Sequence, residues 1–388
     1  MEKRKILAVT GARSDYDLLY TVYKKLHEDK RIDFQILITG PHLSEKYGLT
    51  AQFVEKDGFI VADRVYNLID SDKKLGRAVS IGNQISGLAQ SFNRIEPDIV
   101  LVAGDREESI SVALTGAYLD IPVAHFFGGD IAKDGNIDNS TRYAASKYAH
   151  IHFPSLEEHK QTLLKLGEEE WRIFPVGNPA IDRLLSTHML SKSDMLIQLG
   201  NGKEHQRYCV LIQHSIITQV EEQKKHIRTT LDSILEYDGH CFINYPNSDA
   251  GSDEIIKAYQ EYSKKYPEKF TLFQNLDRIQ YVSLLNYAEF LIGNSSSGVV
   301  EVGSLGLPAI NIGMRQRGRL HGENVIFVDN DQDQIVSAMH KVRTDEEFKR
   351  KVAQKINPYG DGKSGDKVVK ILSELVLNDK LKYKNITY

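Results

Sequence analysis

The stretch Gly293-Asn294-Ser295-Ser296-Ser297-Gly298-Val299-Val300-Glu301 follows the apolar run Phe290 to Ile292 and precedes Gly306-Leu307-Pro308. A strand that ends in a small polar loop and turns into a helix gathers backbone N–H groups and serine hydroxyls around one point, at the positive end of a helix dipole. Such a point suits an anion. Glu301 falls within the first helical turns, where its carboxylate can accept hydrogen bonds from a vicinal diol. A diphosphate carrying a ribose would satisfy Ser295, Ser296 and Glu301 together. The plainer alternative is a capped helix with no ligand, and the other loops bear on that choice.

Gly11-Ala12-Arg13-Ser14-Asp15-Tyr16 delivers Arg13 to a helix start, where its guanidinium can grip phosphate oxygens in pairs or simply meet Asp15 or Asp17 at the surface. Gly104-Asp105-Arg106 sets an acid beside a base at a strand end; the ordinary reading is an N-cap aspartate with a surface arginine. His125-Phe126-Phe127-Gly128-Gly129-Asp130 ends another strand, and Asp138-Asn139-Ser140-Thr141-Arg142 opens the next helix, with Arg142 a candidate substrate contact. Asp105, Asp130 and Asp138 thereby come to one rim, as general acid/base machinery would. A divalent metal is the competing idea, but there is no tight Asp-x-Asp spacing to support it. Further along, Gln213-His214-Ser215 offers a histidine able to protonate a leaving phosphate, or else one facing solvent. Tyr245-Pro246-Asn247-Ser248-Asp249-Ala250-Gly251 adds Asn247 as a polar contact. Asn311 to Arg319 gathers Arg315, Arg317 and Arg319 around Gly313 and Gly318, the composition of a mobile loop closing on an anion.

The elements that must hold these loops read as alternating short β-rich runs and longer helix-period segments, the sequence form of a parallel sheet with crossover helices. The first half offers strands at Ile6–Val9, Phe34–Thr39, Ile99–Ala103, Val123–Phe127, Ile151–Phe153 and Ile173–Val176. The second offers Tyr208–Ile212, Cys241–Asn244, Phe270–Phe273, Phe290–Ile292, Ala309–Ile312 and Val325–Val328. The fold class expected is α/β: two doubly wound Rossmann-like domains facing a central cleft, on one shared plan. The expected division is 1–180, carrying the acid/base residues; 181–365, binding the nucleotide; and an amphipathic C-terminal helix and tail, 366–388, able to pack on either domain. A hinge is expected near Gly177 to Leu185, before the polar stretch with Gly200, Asn201 and Gly202.

The 388 residues are 41% hydrophobic and 26% charged with a net charge of −4, which argues against a nucleic-acid binder held by nonspecific phosphate contacts. Cys209 and Cys241 each sit in an apolar strand-like run, so buried reduced thiols in a cytoplasmic protein are the default, and they cannot build a cysteine zinc site. The apolar part of the N-terminus is too short for a signal sequence, and no apolar stretch is long enough to cross a bilayer.

Taken in order, these segments resemble the hydrolysing UDP-N-acetylglucosamine 2-epimerases of sialic-acid and related nonulosonate synthesis. The likeness is carried by Arg13-Ser14-Asp15-Tyr16, Gly40-Pro41-His42-Leu43, Gly104-Asp105-Arg106, Pro246 to Gly251, Gly293-Asn294-Ser295-Ser296 and Arg315-Gln316-Arg317-Gly318-Arg319. The resemblance implies the two-domain fold shared with many nucleotide-sugar glycosyltransferases, a homodimer or homotetramer, and no metal or redox cofactor. It implies Arg13, Ser295 and Ser296 on the diphosphate, Glu301 on the ribose and Arg315 in the nucleotide region. Asp105 and Asp138 correspond to acid/base positions, and Arg106 and His214 to residues near sugar and phosphate. Two departures fall on the sugar side. Phe127 stands where animal and non-hydrolysing relatives commonly carry glutamate, leaving Asp130 to take over, and Tyr143 replaces a usual histidine after Arg142. The loop from Asp130 to Asp138 is also longer. Altered sugar specificity follows as an expectation, such as a 6-deoxy, di-N-acetylated hexose of the legionaminic-acid type. The rivals are a glycosyltransferase of the same fold, a catalytically impaired nucleotide-sugar-binding regulator and a non-hydrolysing epimerase.

Overall fold

The computed structural model describes residues 3–69, 74–131, 137–199, 207–246, 251–274 and 276–387. The chain divides into two compact units, residues 1–183 with 360–388, and residues 184–359. In the first, β1 (Arg4–Thr10), β2 (Ile32–Thr39), β3 (Val61–Val65), β4 (Ile99–Ala103), β5 (Val123–Phe126) and β6 (Ile151–Phe153) form one sheet in the order β3-β2-β1-β4-β5-β6. In the second, β7 (Tyr208–Ile212), β8 (His240–Asn244), β9 (Phe270–Phe273), β10 (Leu291–Gly293), β11 (Ala309–Ile312) and β12 (Val325–Val328) run in the order β12-β11-β10-β7-β8-β9. Every pairing is parallel. Counted within its own unit, each sheet has the strand order 3-2-1-4-5-6 of a doubly wound Rossmann fold, so each is the α/β class expected.

Burial explains why these runs are strands rather than helices. Both faces of a parallel sheet are covered, so its strands are apolar throughout rather than alternating. Ile6 and Ala8 of β1 join one core while Leu7 and Val9 join another on the opposite face. Cys209 and Leu211 of β7 likewise face away from Tyr208, Val210 and Ile212. Cys209 and Cys241 are free, buried and register partners across β7 and β8.

Two elements differ from expectation. Ile173–Val176 is not a strand; it makes a single bridge from Ile173 to His152, with Phe174 N and Val176 N donating to His152 O and Pro154 O at 2.9 and 3.1 Å. A 3-10 turn, Glu170–Arg172, precedes it and Gly177-Asn178-Pro179 follows, leaving too little extended chain for a ladder. The sixth strand is instead β3, at the edge opposite β6, whose Val61-Ala62-Asp63-Arg64-Val65 is only partly buried and carries charges a central strand would not.

The helices that position loops in the first unit are α1 (Arg13–Glu28), α2 (Glu107–Tyr118) and α3 (Asp138–Tyr148); in the second, α4 (Arg278–Asn286) and α5 (Ser297–Val300). The amphipathic C-terminal segment forms α6 (Ser364–Glu374), in the first unit: Val368, Val369 and Leu372 enter the core that contains Leu19, Val22 and Leu26 of α1. It starts two residues earlier than its apolar pattern suggests, because the Asp182 carboxylate accepts from Ser364 N at 3.1 Å and Gly365 N at 2.7 Å. Among the described residues no helix is long and apolar enough to cross a membrane.

Candidate active site

Doubly wound sheets bind ligands outside the carboxyl ends of their strands, where the strand order reverses. In the second unit that point lies between β7 and β10. The loop after β7 brings Gln213-His214-Ser215, and the loop after β10 brings Asn294-Ser295-Ser296. Asn294 locks them together: its Oδ1 accepts from His214 N at 2.7 Å and its Nδ2 donates to His214 O at 2.9 Å. The Asn294 carbonyl accepts from Arg315 Nη1 at 3.2 Å and Gln316 Nε2 at 3.3 Å. His214, Ser295, Ser296 and Arg315 are thus brought to one place by a 3% exposed asparagine whose part the sequence reading missed. Its signal was available, since a buried asparagine between a glycine and a serine run has to find partners. Gly293 allows the turn: its φ is 123°, and a Cβ there would lie 2.1 Å from Ile212 O.

The serine loop differs from expectation in one respect. α5 is a single turn, and Glu301 caps its C-terminal end. So short a helix has little macrodipole, and anion affinity must come from local donors and Arg315. Ser295 is half-buried and Ser296 exposed. Glu301 Oε2 accepts from Ser297 Oγ at 2.7 Å, whose own oxygen accepts from Tyr281 OH at 3.1 Å; Arg278 Nη2 stands 3.5 Å from Glu301 Oε1. The carboxylate is therefore held in one orientation. The three arginines of the following loop part company: Arg317 pairs with Asp329 at 2.7 Å and Arg319 with Gln316 at 3.0 Å, leaving Arg315 turned to the serine loop. Asn247 and the rest of 247–250 lie outside the described residues, as do Gly200, Asn201 and Gly202.

In the first unit the reversal lies between β1 and β4. Asp105 is not an N-cap; Arg106 takes that position in extended conformation and stays exposed, ahead of α2. The carboxylate of Asp105 instead accepts from Arg142 Nη2, while Arg142 Nη1 donates to Asp130 O at 2.5 Å. Arg142 is 5% exposed. Asp138, half-exposed at the first position of α3, is four residues before Arg142 and shares its helix face. One buried guanidinium thus ties the Asp105 and Asp130 loops to the helix that carries Asp138. Asp130 Oδ1 also faces His159 Nε2 at 3.4 Å.

A second support is His125. Its Nε2 lies 2.7 Å from Gly104 O and its Nδ1 3.1 Å from Ser146 Oγ. The carbonyl can only accept, so Nε2 carries the proton and Nδ1 accepts from the serine. Burial pushes this imidazole down to about 3, which keeps it neutral. Phe127 follows in the left-handed region at φ 64°, costing about 1–2 kcal/mol for a residue with a Cβ, and its half-buried ring packs on the first unit's core. Arg13 lies over the Phe53 ring at 4.7 Å, with Asp17 3.6 Å from its Nε.

Sequence reasoning also missed Glu108. It is 7% exposed, and its Oε1 occupies the space of a Cβ on Gly11, which would fall 2.3 Å away. Among the described residues its Oε2 has no hydrogen-bond partner. Burial, with Asp15 adding repulsion, pushes Glu108 up to about 7; burial likewise pushes Asp15 up to about 6, against the pull of Arg106. Between pH ~4.5 and ~7 the folded chain therefore holds a proton on Glu108 that the unfolded chain has released, and stability falls as pH rises through that window. We expect Glu108→Gln to be more stable than the parent at pH 8 by on the order of 2–3 kcal/mol, with no gain near pH 4. Urea denaturation at both pH values checks this; an equal gain at both would contradict it.

The sequence pattern of the UDP-N-acetylglucosamine 2-epimerase family matches residues 24–373. The UDP-N,N'-diacetylbacillosamine 2-epimerase (hydrolyzing) of Legionella pneumophila is 32% identical over 385 residues, covering 99% of this chain and 100% of its own. The GDP/UDP-N,N'-diacetylbacillosamine 2-epimerase (hydrolyzing) of Campylobacter jejuni is 34% identical over 386 residues, 99% of each. Among solved structures, the UDP-GlcNAc 2-epimerase of Neisseria meningitidis bound to UDP-GlcNAc superposes with a TM-score of 0.77 at 20% identity, covering 95% of this chain and 99% of that one, which supports the fold. The chain belongs to the UDP-N-acetylglucosamine 2-epimerase family.

Proposed function

We propose that this protein is a hydrolysing nucleotide-sugar 2-epimerase. The observation that carries the reading is full-length similarity to two hydrolysing 2-epimerases. The Arg142-centred carboxylates and the Asn294-centred loops supply groups suited to the chemistry. Ser295, Ser296, His214 and Arg315 hold the diphosphate, each charge-assisted contact worth about 1.5–3 kcal/mol, and Glu301 takes the ribose hydroxyls. The C1–O bond to the diphosphate breaks as a carboxylate removes the C2 proton, giving a 2-acetamidoglycal. Water then adds at C1 while C2 is reprotonated from the opposite face. Nucleotide sugar and water become the free 2-epimeric sugar and a nucleoside diphosphate.

Asp138 is the base in this reading, because it is half-exposed and Arg142 keeps it in register with Asp105 and Asp130. Phe127 removes a carboxylate commonly found there in relatives, and the two relatives above are named for a diacetylated sugar. The proposed substrate is therefore a UDP- or GDP-linked 2,4-diacetamido-6-deoxy hexose of a nonulosonate route. Cys209 and Cys241, buried and unlinked, support a cytoplasmic setting. Proton NMR in deuterated water with UDP- and GDP-linked 2-acetamido and 2,4-diacetamido hexoses tests the reaction and its substrate together. We expect free sugar bearing deuterium at C2; an epimer still carrying its nucleotide, or no turnover of any member of the panel, would refute it.

A further inference from the structure

The C-terminal segment beyond α6 returns to the back of α3. Lys384 Nζ donates to Ser146 O at 3.0 Å, Lys147 O at 2.9 Å and Ala149 O at 2.6 Å, the carbonyls that the end of a helix leaves without partners. The same ammonium lies 2.6 Å from Glu168 Oε2, a carboxylate with no solvent exposure that also takes Lys147 Nζ at 2.9 Å and lies 3.0 Å from His152 Nε2. Arg172, 1% exposed, fastens the approach: it donates to Leu381 O at 2.7 Å, Lys380 O at 2.8 Å and Tyr383 O at 2.7 Å. Thr387 N closes the run on Gly167 O at 3.1 Å. A mere tail would have no need of a half-buried lysine set on a buried glutamate and a buried arginine.

We propose that Lys384 is a positioning residue: by clamping the C-terminal end of α3 it fixes where that helix holds Asp138 and Arg142. The inference rests on the proposed role of those side chains in the sugar chemistry. α3 has 11 residues and is about 16 Å long, so a tilt of about 4° about one end moves the other by about 1 Å. A displacement of about 1 Å at reacting groups costs on the order of 10²-fold in rate. Helix and clamp are more than 230 residues apart in sequence, and both belong to the first unit.

The test compares full-length Lys384→Met with the parent by two independent readouts. Hydrogen–deuterium exchange of peptides spanning 138–149 is expected to quicken about tenfold or more, with peptides of β7 and β10 unchanged. Under the turnover assay, kcat is expected to fall about 10- to 100-fold with KM within about twofold and UDP affinity unaltered. Unchanged exchange overturns the proposal, and so does faster exchange with full kcat. If the parent itself fails to turn over, the epimerase reading falls and the exchange comparison alone decides the clamp. Should the methionine variant not fold, Lys384→Gln, whose amide still donates, makes the same comparison.

Discussion

Arg142→Met is expected to lower kcat by on the order of 10²- to 10³-fold while leaving UDP affinity within about twofold. The guanidinium is buried, donates to the Asp105 carboxylate and to the Asp130 carbonyl, and springs from the helix that begins at Asp138. Removing it leaves the half-buried Asp105 carboxylate without that donor, at a cost below the about 3–5 kcal/mol of a fully buried pair. It also frees two loops from each other, and misplacement by about 1 Å is enough for a hundredfold loss. Arg142→Lys should recover little, because an ammonium keeps the charge but cannot present two parallel N–H groups to a carboxylate and a carbonyl. The proposed nucleotide contacts belong to the second unit and Arg142 to the first. Steady-state kinetics together with calorimetric titration of UDP separates the two effects. A methionine variant with parental kcat would show that Arg142 only stabilises the fold.

What the sequence discloses and what it hides follow different physics here. Buried parallel strands are written locally, as uninterrupted apolar runs such as Ile99 to Ala103 and Tyr208 to Ile212, and chain order placed the loops after β1, β4, β7 and β10 at strand ends. The edge strand β3 escaped because its charged, half-exposed residues look like a loop. Arg142 was legible as a candidate ligand contact but not as a buried tie, since nothing in an isolated arginine reveals whether it will be desolvated. Glu108 reads as one of two adjacent glutamates at a helix start; only the packing of Gly11 against it shows that one of the pair is buried, with an oxygen that finds no partner among the described residues. Lys384 and the end of α3 are joined by a contact that no periodicity encodes. The pattern is consistent: residue types and strand ends are local properties, whereas desolvation and clamping are set by partners distant in sequence.

Asp138→Asn is expected to reduce kcat by on the order of 10³- to 10⁴-fold, near the upper range for removing a positioned general base. Asparagine matches the size of aspartate and suits a helix start, so α3 should keep its place and the loss should be chemical rather than structural. The C2 proton is weakly acidic until positive charge develops at C1, so departure of the diphosphate must lead and proton removal must follow closely. Without the base, C1–O cleavage that still occurs should end in capture by water. The residual product is then free sugar with its original C2 configuration and no deuterium. Measuring both the release of nucleoside diphosphate and C2 deuteration distinguishes this outcome from a simple loss of binding. Full-rate deuteration in the variant would instead pass the role to Asp105 or Asp130, and of these Asp105 is already engaged by Arg142, whereas Asp130 faces His159 and could exchange a proton with it.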